Sequence, residues 1–122
     1  MNKKELEIGN LPDNEIHQFP VKVANEVFRI KQRIRVIPED INGITQISKS
    51  IARLEDELKQ MGYEMPELLN LVYDEGMMVH ARFIPVDSLT KGEKHITKVI
   101  KPAVIYKGEL IQVAEIEVSI GD

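Results

Sequence analysis

Residues 93–121 constrain the fold of this chain more than any other stretch. They contain two apolar runs rich in β-branched residues, 95–106 and 110–120, which are separated by Lys107 and Gly108. Glycine tolerates a positive φ at low steric cost, so the chain can reverse direction at this point. The stretch therefore predicts two antiparallel strands joined by a tight turn, which close a small β-unit at the carboxyl end.

The second run also predicts which side of its strand is buried. Aliphatic residues occupy every second position of 114–120, and acidic or hydroxyl side chains fall between them. A period of two with one apolar side indicates a strand that is half in a core and half in water. Glu115 and Glu117 share the outer face, where they suit surface charge or ion pairing across to Lys98 or Lys101. Acid–base catalysis would need a pocket that raises one carboxyl pKa, and no pattern in the sequence predicts one.

Residues 20–62 are typical of a helical arm. Four aliphatic residues between positions 23 and 34 recur at helical spacing, and Pro20 suits the first turn of that helix. The β-branched residues of 33–37 are also compatible with a strand. A second helix is expected after Pro38, with an acidic pair in its first turn and Gly62 just beyond its end.

The second helix carries a seam of apolar residues. They are separated by gaps of three and four: Ile44, Ile47, Ile51, Leu54, Leu58 and Met61. Such a seam fits a helix that lies on its own domain's core, and it fits a helix paired with its twin in a homodimer. We favour the homodimer, because two helices and a small β-unit share little core in one copy. The six seam residues are the predicted dimer contacts.

The remaining segments complete an α+β organisation. Residues 73–76 have turn composition, 77–83 alternate as a third strand that Pro85 would end, and 86–94 form a polar loop. Helices followed by a meander of strands indicate the α+β class. We expect a polar tail over 1–19, a helical dimerisation arm over 20–62, either a helical hairpin or a coiled coil, and a small all-β domain over 63–122.

Composition excludes several function classes. The chain has 122 residues, no cysteine and a net charge of −4, so disulfides and thiol catalysis are absent and a nucleic-acid partner is not favoured. The three histidines lack the spacing of a metal site, and no phosphate-binding glycine loop or nucleophile elbow occurs. An enzyme that uses His80, His95 and Asp74 in a dimer groove is the weakest alternative. We expect a cytoplasmic protein-binding protein with no cofactor, no catalytic residue and no membrane segment.

The order of these features resembles the GrpE family of nucleotide exchange factors for DnaK-type chaperones. In that family the last helix ends at a glycine and a short Phe-Asp-Pro turn opens the β-domain; Gly62 and residues 73–75 occupy corresponding places. The family's closing hairpin reads approximately GY-x-L-x-G-R-x-[LI]-R-[PA]-A-x-V-x-V and aligns with residues 103–118. The matching positions are Gly108, Ile111, Ala114 and Val118, with Ile116 as a close substitute.

Some positions depart from the family's pattern. Glu109 and Gln112 stand where the family has basic residues, and Ala103 and Val104 replace its Gly-Tyr pair. The His-Glu-Ala that follows the family's turn is missing, and the long N-terminal helix is absent or shortened to about 20–37. The similar region extends roughly from residue 44 to residue 120.

The resemblance implies a co-chaperone that binds the ATPase domain of a DnaK-type chaperone and promotes ADP release. Such a factor binds the open conformer of its partner more tightly than the closed one. The resemblance places the partner contact on the hairpin and its loop: Lys107, Glu109, Leu110, Ile111 and Gln112, with Met77 and Met78 at the edge. The alternative is an exchange-inactive, GrpE-like dimeric structural or adaptor protein that binds a different protein, since the acid at Glu109 changes the contact surface.

Overall fold

A computed structural model describes residues 13–122, and over that range helices precede strands. The helices are α1 (Asp13–Ile16), α2 (Gln18–Arg35) and α3 (Ile44–Gln60). The strands are β1 (Tyr63–Glu64), β2 (Val79–Val86), β3 (Lys94–Lys101), β4 (Val104–Tyr106), β5 (Glu109–Gln112) and β6 (Ala114–Gly121). The predicted α+β class is confirmed. Residues 1–12 of the predicted tail lie outside the described residues, and the rest of that tail is largely helical.

The helix boundaries follow local sequence signals. Pro20 is the third residue of α2, where a missing N–H costs no intrahelical hydrogen bond. Because α2 continues to Arg35, the strand interpretation of 33–37 is wrong. The acidic pair after Pro38 lies in the connection and not in a first turn, since α3 begins at Ile44. Gly62, at φ 102°, follows the last turn of α3 and donates its N–H to the carbonyl of Lys59 at 2.9 Å.

The strands form two three-stranded sheets. The first has the order β1-β4-β5 and the second the order β2-β6-β3. Lys107 and Gly108, at φ 47° and 85°, join β4 to β5 in the reversal that the sequence predicts. Each of the two predicted strands is, however, divided in two, and the outer parts, β3 and β6, belong to the second sheet. In the second sheet Lys98 lies opposite Glu117 and Lys101 opposite Glu115, and the Lys101 ammonium is 4.0 Å from the Glu115 carboxylate.

The second sheet also corrects two predictions. A meander would place neighbouring strands side by side, whereas β2 pairs in parallel with β6, the last strand of the chain. The central strand β6 buries Ile116 and Val118, and an apolar strand of this kind needs a neighbour on each side. Pro85 does not end β2, which continues to Val86. Within residues 13–122 the only neighbour of β2 is β6, so β2 is an edge strand, and its outward-facing edge tolerates the missing N–H of proline.

Two apolar cores lie on either side of α2. The first core joins the helices to the small sheet and consists of Ala24, Val27, Ile51, Leu58, Tyr63 and Val104. The second core lies on the larger sheet and consists of Ile96, Val99, Ala103, Ala114, Ile116 and Val118. Val27 is buried in the first core and the adjacent Phe28 packs against the second. Helix α2 thus contributes side chains to both cores, as do residues 103–104 and 110–111.

The predicted seam of α3 is divided by this packing. Ile44, Ile51 and Leu58 are at most 7% exposed. The three alternate residues remain largely exposed: Ile47 at 50%, Leu54 at 45% and Met61 at 56%. The chain therefore uses half of the seam for its own core, and only the other half faces solvent in a single copy.

Gly121 fixes the end of β6 against the loop between β2 and β3. Its N–H donates to the carbonyl of Glu93 at 2.9 Å, and its carbonyl accepts the N–H of Gly92 at 3.1 Å. A Cβ at position 121 would lie 1.9 Å from the carbonyl oxygen of Thr90. Only glycine allows this close approach of two backbone segments.

We expect Gly121→Ala to lower the free energy of unfolding by about 1–3 kcal/mol, because the added methyl group displaces the backbone at Thr90. Gly76→Ala is the matched control, since the nearest atom to a Cβ there is 3.6 Å away; its effect should stay within about 0.5 kcal/mol. Urea unfolding followed by circular dichroism measures both. Equal effects of the two variants would contradict the close contact.

Candidate partner-binding face

The reversal between β4 and β5 presents the most exposed part of the predicted contact. Lys107, Gly108 and Glu109 are exposed and Leu110 is half-buried; these four residues are called the turn face below. Lys107 and Glu109 carry opposite charges on either side of the glycine. The turn face is free to meet another protein and offers a cation, an anion and an aliphatic side chain within four residues.

The backbone behind the turn face is tied to the end of α3. The N–H of Lys107 donates to the carbonyl of Gly62 at 2.9 Å. Next to this bond Tyr63 of β1 lies opposite Tyr106 of β4 in the antiparallel ladder. The Lys107 ammonium lies 5.2 Å from the centre of the Tyr106 ring, within the range of a cation–π contact. The turn of the hairpin is therefore held against the end of α3.

A buried cluster of three rings supports the same region. His17, Tyr63 and Tyr106 form this aromatic cluster, with ring centres 4.4 to 5.3 Å apart. Nδ1 of His17 and the hydroxyl of Tyr63 share a hydrogen bond of 2.5 Å, and both side chains are at most 6% exposed. Burial, and then the neighbouring Tyr106, raise the pKa of Tyr63 above its usual value. The cluster joins the start of α2 to the first sheet.

The sequence did not predict the aromatic cluster. His17 stands out in the sequence only as one of three histidines without metal-site spacing, and the structure buries it. His17 and Tyr63 are 46 positions apart and belong to no periodic pattern, so no local signal joins them. The position of Tyr63 immediately after Gly62 was the one available indication that it lies at the joint.

Two of the predicted contact residues are engaged inside the chain. Gln112 donates from Nε2 to Oδ1 of Asn25 and to the carbonyl of Pro102, both at 2.7 Å. Ile111 packs against the first core. Gln112 therefore attaches β5 to α2 and to the chain before β4, and Ile111 anchors the strand in the first core. This leaves the turn face as the exposed part of the hairpin in the predicted contact.

The predicted methionine edge lies close to the hairpin. Val79 at the start of β2 is opposite Ala114, so the two preceding residues run alongside the end of β5. Met77 and Leu110 both pack against the second core, while Met78 is 73% exposed. Met77 and Leu110 thus share one core, and Met78 is the most exposed apolar side chain of the predicted contact.

The residues of the enzyme alternative do not converge. His80 lies on β2 and His95 on β3, on opposite sides of the central strand β6. His95 pairs with Glu93 at 3.0 Å, and Asp74 accepts the N–H of Gly76 at 3.0 Å. Hydrogen bonds from Thr90, followed by that of His95, lower the pKa of Glu93. Residues 13–122 contain no group of three metal-ligating side chains.

Comparison with known proteins does not assign the chain to a family. No family model matches the chain, and no curated protein matches its sequence. None of the helices in the described part of the chain is long and apolar enough to cross a membrane.

We expect Tyr63→Phe to lower the free energy of unfolding by about 1 kcal/mol at neutral pH, because it removes the hydrogen bond to His17. It should also reduce the loss of stability at high pH. The folded-state pKa of Tyr63 lies above 10.0, so the unfolded chain releases the phenolic proton first and stability falls as the pH rises past 10.0.

Unfolding in urea between pH 8 and about 11 tests this expectation. Tyr73→Phe is the control, because the Tyr73 ring packs edge-on to Phe83 and takes no part in the aromatic cluster. The control should keep the wild-type decline. Identical pH profiles for Tyr63→Phe and the wild type would contradict a buried, neutral Tyr63.

Proposed function

We propose that this chain is a GrpE-like adaptor that binds the ATPase domain of a DnaK-type chaperone and promotes ADP release. The observation that carries the proposal is an exposed turn face on a hairpin whose base is tied to the helices. The sequence similarity of residues 103–118 to the closing hairpin of GrpE proteins supports it. Such a partner implies a cytoplasmic protein without a cofactor or catalytic residue of its own.

The mechanism requires a stiff probe, because the factor must favour one conformer of its partner. Each tenfold shift between the open and closed conformers requires about 1.4 kcal/mol of differential binding. If the hairpin bent on contact, the free energy of its distortion would offset the difference in binding between the open and closed conformers. Three connections resist bending here: His17 with Tyr63, Lys107 with Gly62, and Gln112 with Asn25.

We further propose that two copies pair through α3 as a coiled coil. Ile47, Leu54 and Met61 are spaced by seven residues and so lie on nearly one line along the helix. Together they form the exposed stripe, a row of large apolar side chains that water covers in a single copy. Pairing of two such stripes would bury them, while Ile51 and Leu58 keep their places in the first core and Ile44 stays buried.

One observation favours the exchange-inactive alternative. Glu109 is exposed at the centre of the turn face, where the family has a basic residue. An acid at that position would repel a partner that offers a carboxylate and would favour one that offers a cation. The chain would then act as a dimeric adaptor for a different protein, with the same rigid hairpin as its contact.

For the dimer, we expect light scattering at micromolar concentration to give twice the monomer mass of 13.9 kDa. Leu54→Glu should yield a folded monomer, because a charge in the paired stripe is costly while the monomer already exposes this position. Gln60→Glu adds the same charge on α3 outside the stripe and should remain dimeric. A wild-type mass of 13.9 kDa would refute the pairing.

For exchange activity, we expect the wild-type chain to accelerate release of a fluorescent ADP from the DnaK-type ATPase of the same cell in stopped flow. Lys107→Glu should weaken the complex by about three- to tenfold, because it reverses a charge in the turn face. Lys91→Glu makes the same change on an exposed loop lysine and should have no effect.

The rate of ADP release distinguishes the exchange-active adaptor from the exchange-inactive alternative. Formation of a complex by calorimetry without faster ADP release would establish the exchange-inactive alternative. The absence of any complex with that ATPase would exclude the chaperone as partner.

A further inference from the structure

A cleft of about 280 Å³ opens where α2, residues 65–69 and β3 meet. Its wall is largely apolar and combines side chains from all three segments: Phe28, Met65, Leu68, Leu69 and Val99. The amide of Gln32 donates to the carbonyl of Val99 at 2.8 Å, so this polar side chain is already satisfied and fixes the wall. No residue of the turn face or of the exposed stripe lines the cleft.

The rim of the cleft carries three cationic side chains, Lys31, Arg35 and Lys98, and two carboxylates, Glu55 and Glu67. Lys31 is held by Glu55 at 2.8 Å. Arg35 lies 3.8 Å from Glu67, with 49% and 71% of the two side chains exposed, which is a loose pair that contributes little. Among residues 13–122, Lys98 takes part in no ion pair. Arg35 and Lys98 are therefore positive charges available to a ligand at the mouth of an apolar cleft.

We infer that this cleft binds a small apolar monocarboxylate, with its chain against the wall and its carboxylate at the basic rim. The volume accommodates about nine water-sized groups at roughly 30 Å³ each, which suits a medium-length alkyl chain. A guanidinium and an ammonium are the side chains that pair best with a carboxylate. A cationic amphiphile would meet the net positive charge of the rim, with three cations against two carboxylates, and a neutral one would leave the rim unused. The inference does not depend on the chaperone proposal.

The probe is decanoate, titrated into the full chain and followed by methyl and amide NMR. We expect the largest shifts at Met65, Leu68, Leu69 and Val99. Decanol and decyltrimethylammonium, which share the alkyl chain, should bind at least tenfold more weakly. Absence of saturable shifts with decanoate, equal affinity for the three probes, or shifts confined to Ile47, Leu54 and Met61 would each overturn the inference.

Charge variants test the rim separately from the wall. Arg35→Gln and Lys98→Gln should each weaken decanoate binding by about three- to tenfold and leave decanol unchanged, and both positions are exposed enough for the fold to persist. Lys91→Gln removes a lysine from an exposed loop away from the cleft and should change nothing. An equal loss in all three variants would show attraction by overall charge and would overturn the site.

Discussion

The structure depends on the joint formed by Tyr63 immediately after Gly62. The tyrosine is the first residue of β1, a member of the first core and the hydrogen-bond partner of His17. A single residue thus connects the end of α3, the start of α2 and the first sheet. Its hydroxyl is buried with a partner, so the polar atom strengthens the joint without leaving an unsatisfied group. The position of the first sheet relative to the helices follows from this contact.

The two predicted interaction surfaces arise from what the joint leaves uncovered. Gln112 of β5 is held by Asn25 of α2, so the hairpin exposes only its turn. Likewise, α2 covers one side of the α3 seam and leaves Ile47, Leu54 and Met61 in water. The proposed partner contact and the proposed pairing contact are therefore consequences of a single packing arrangement. Each lies on an element whose other side is fixed inside the chain.

Local patterns in the sequence predicted the local features. The reversal at Lys107 and Gly108 was visible because two β-branched runs flank it, and the end of α3 was visible at Gly62. The parallel pairing of β2 with β6 was not, because parallel neighbours joined by a long crossover carry no short-range signature. The division of the α3 seam also escaped, since a three-four spacing does not show which neighbour covers which side. For the same reason the engagement of Gln112 by Asn25 required the fold itself.

Val27 and Phe28 are successive residues of one helix, yet they point into different cores. A rotation of α2 about its axis would withdraw one side chain from its neighbours and drive the other into its own. Because both side chains belong to one helix, neither core can loosen without disturbing the packing of the other. We expect the helices and both sheets to melt in a single cooperative transition, although their hydrogen-bonded ladders are separate.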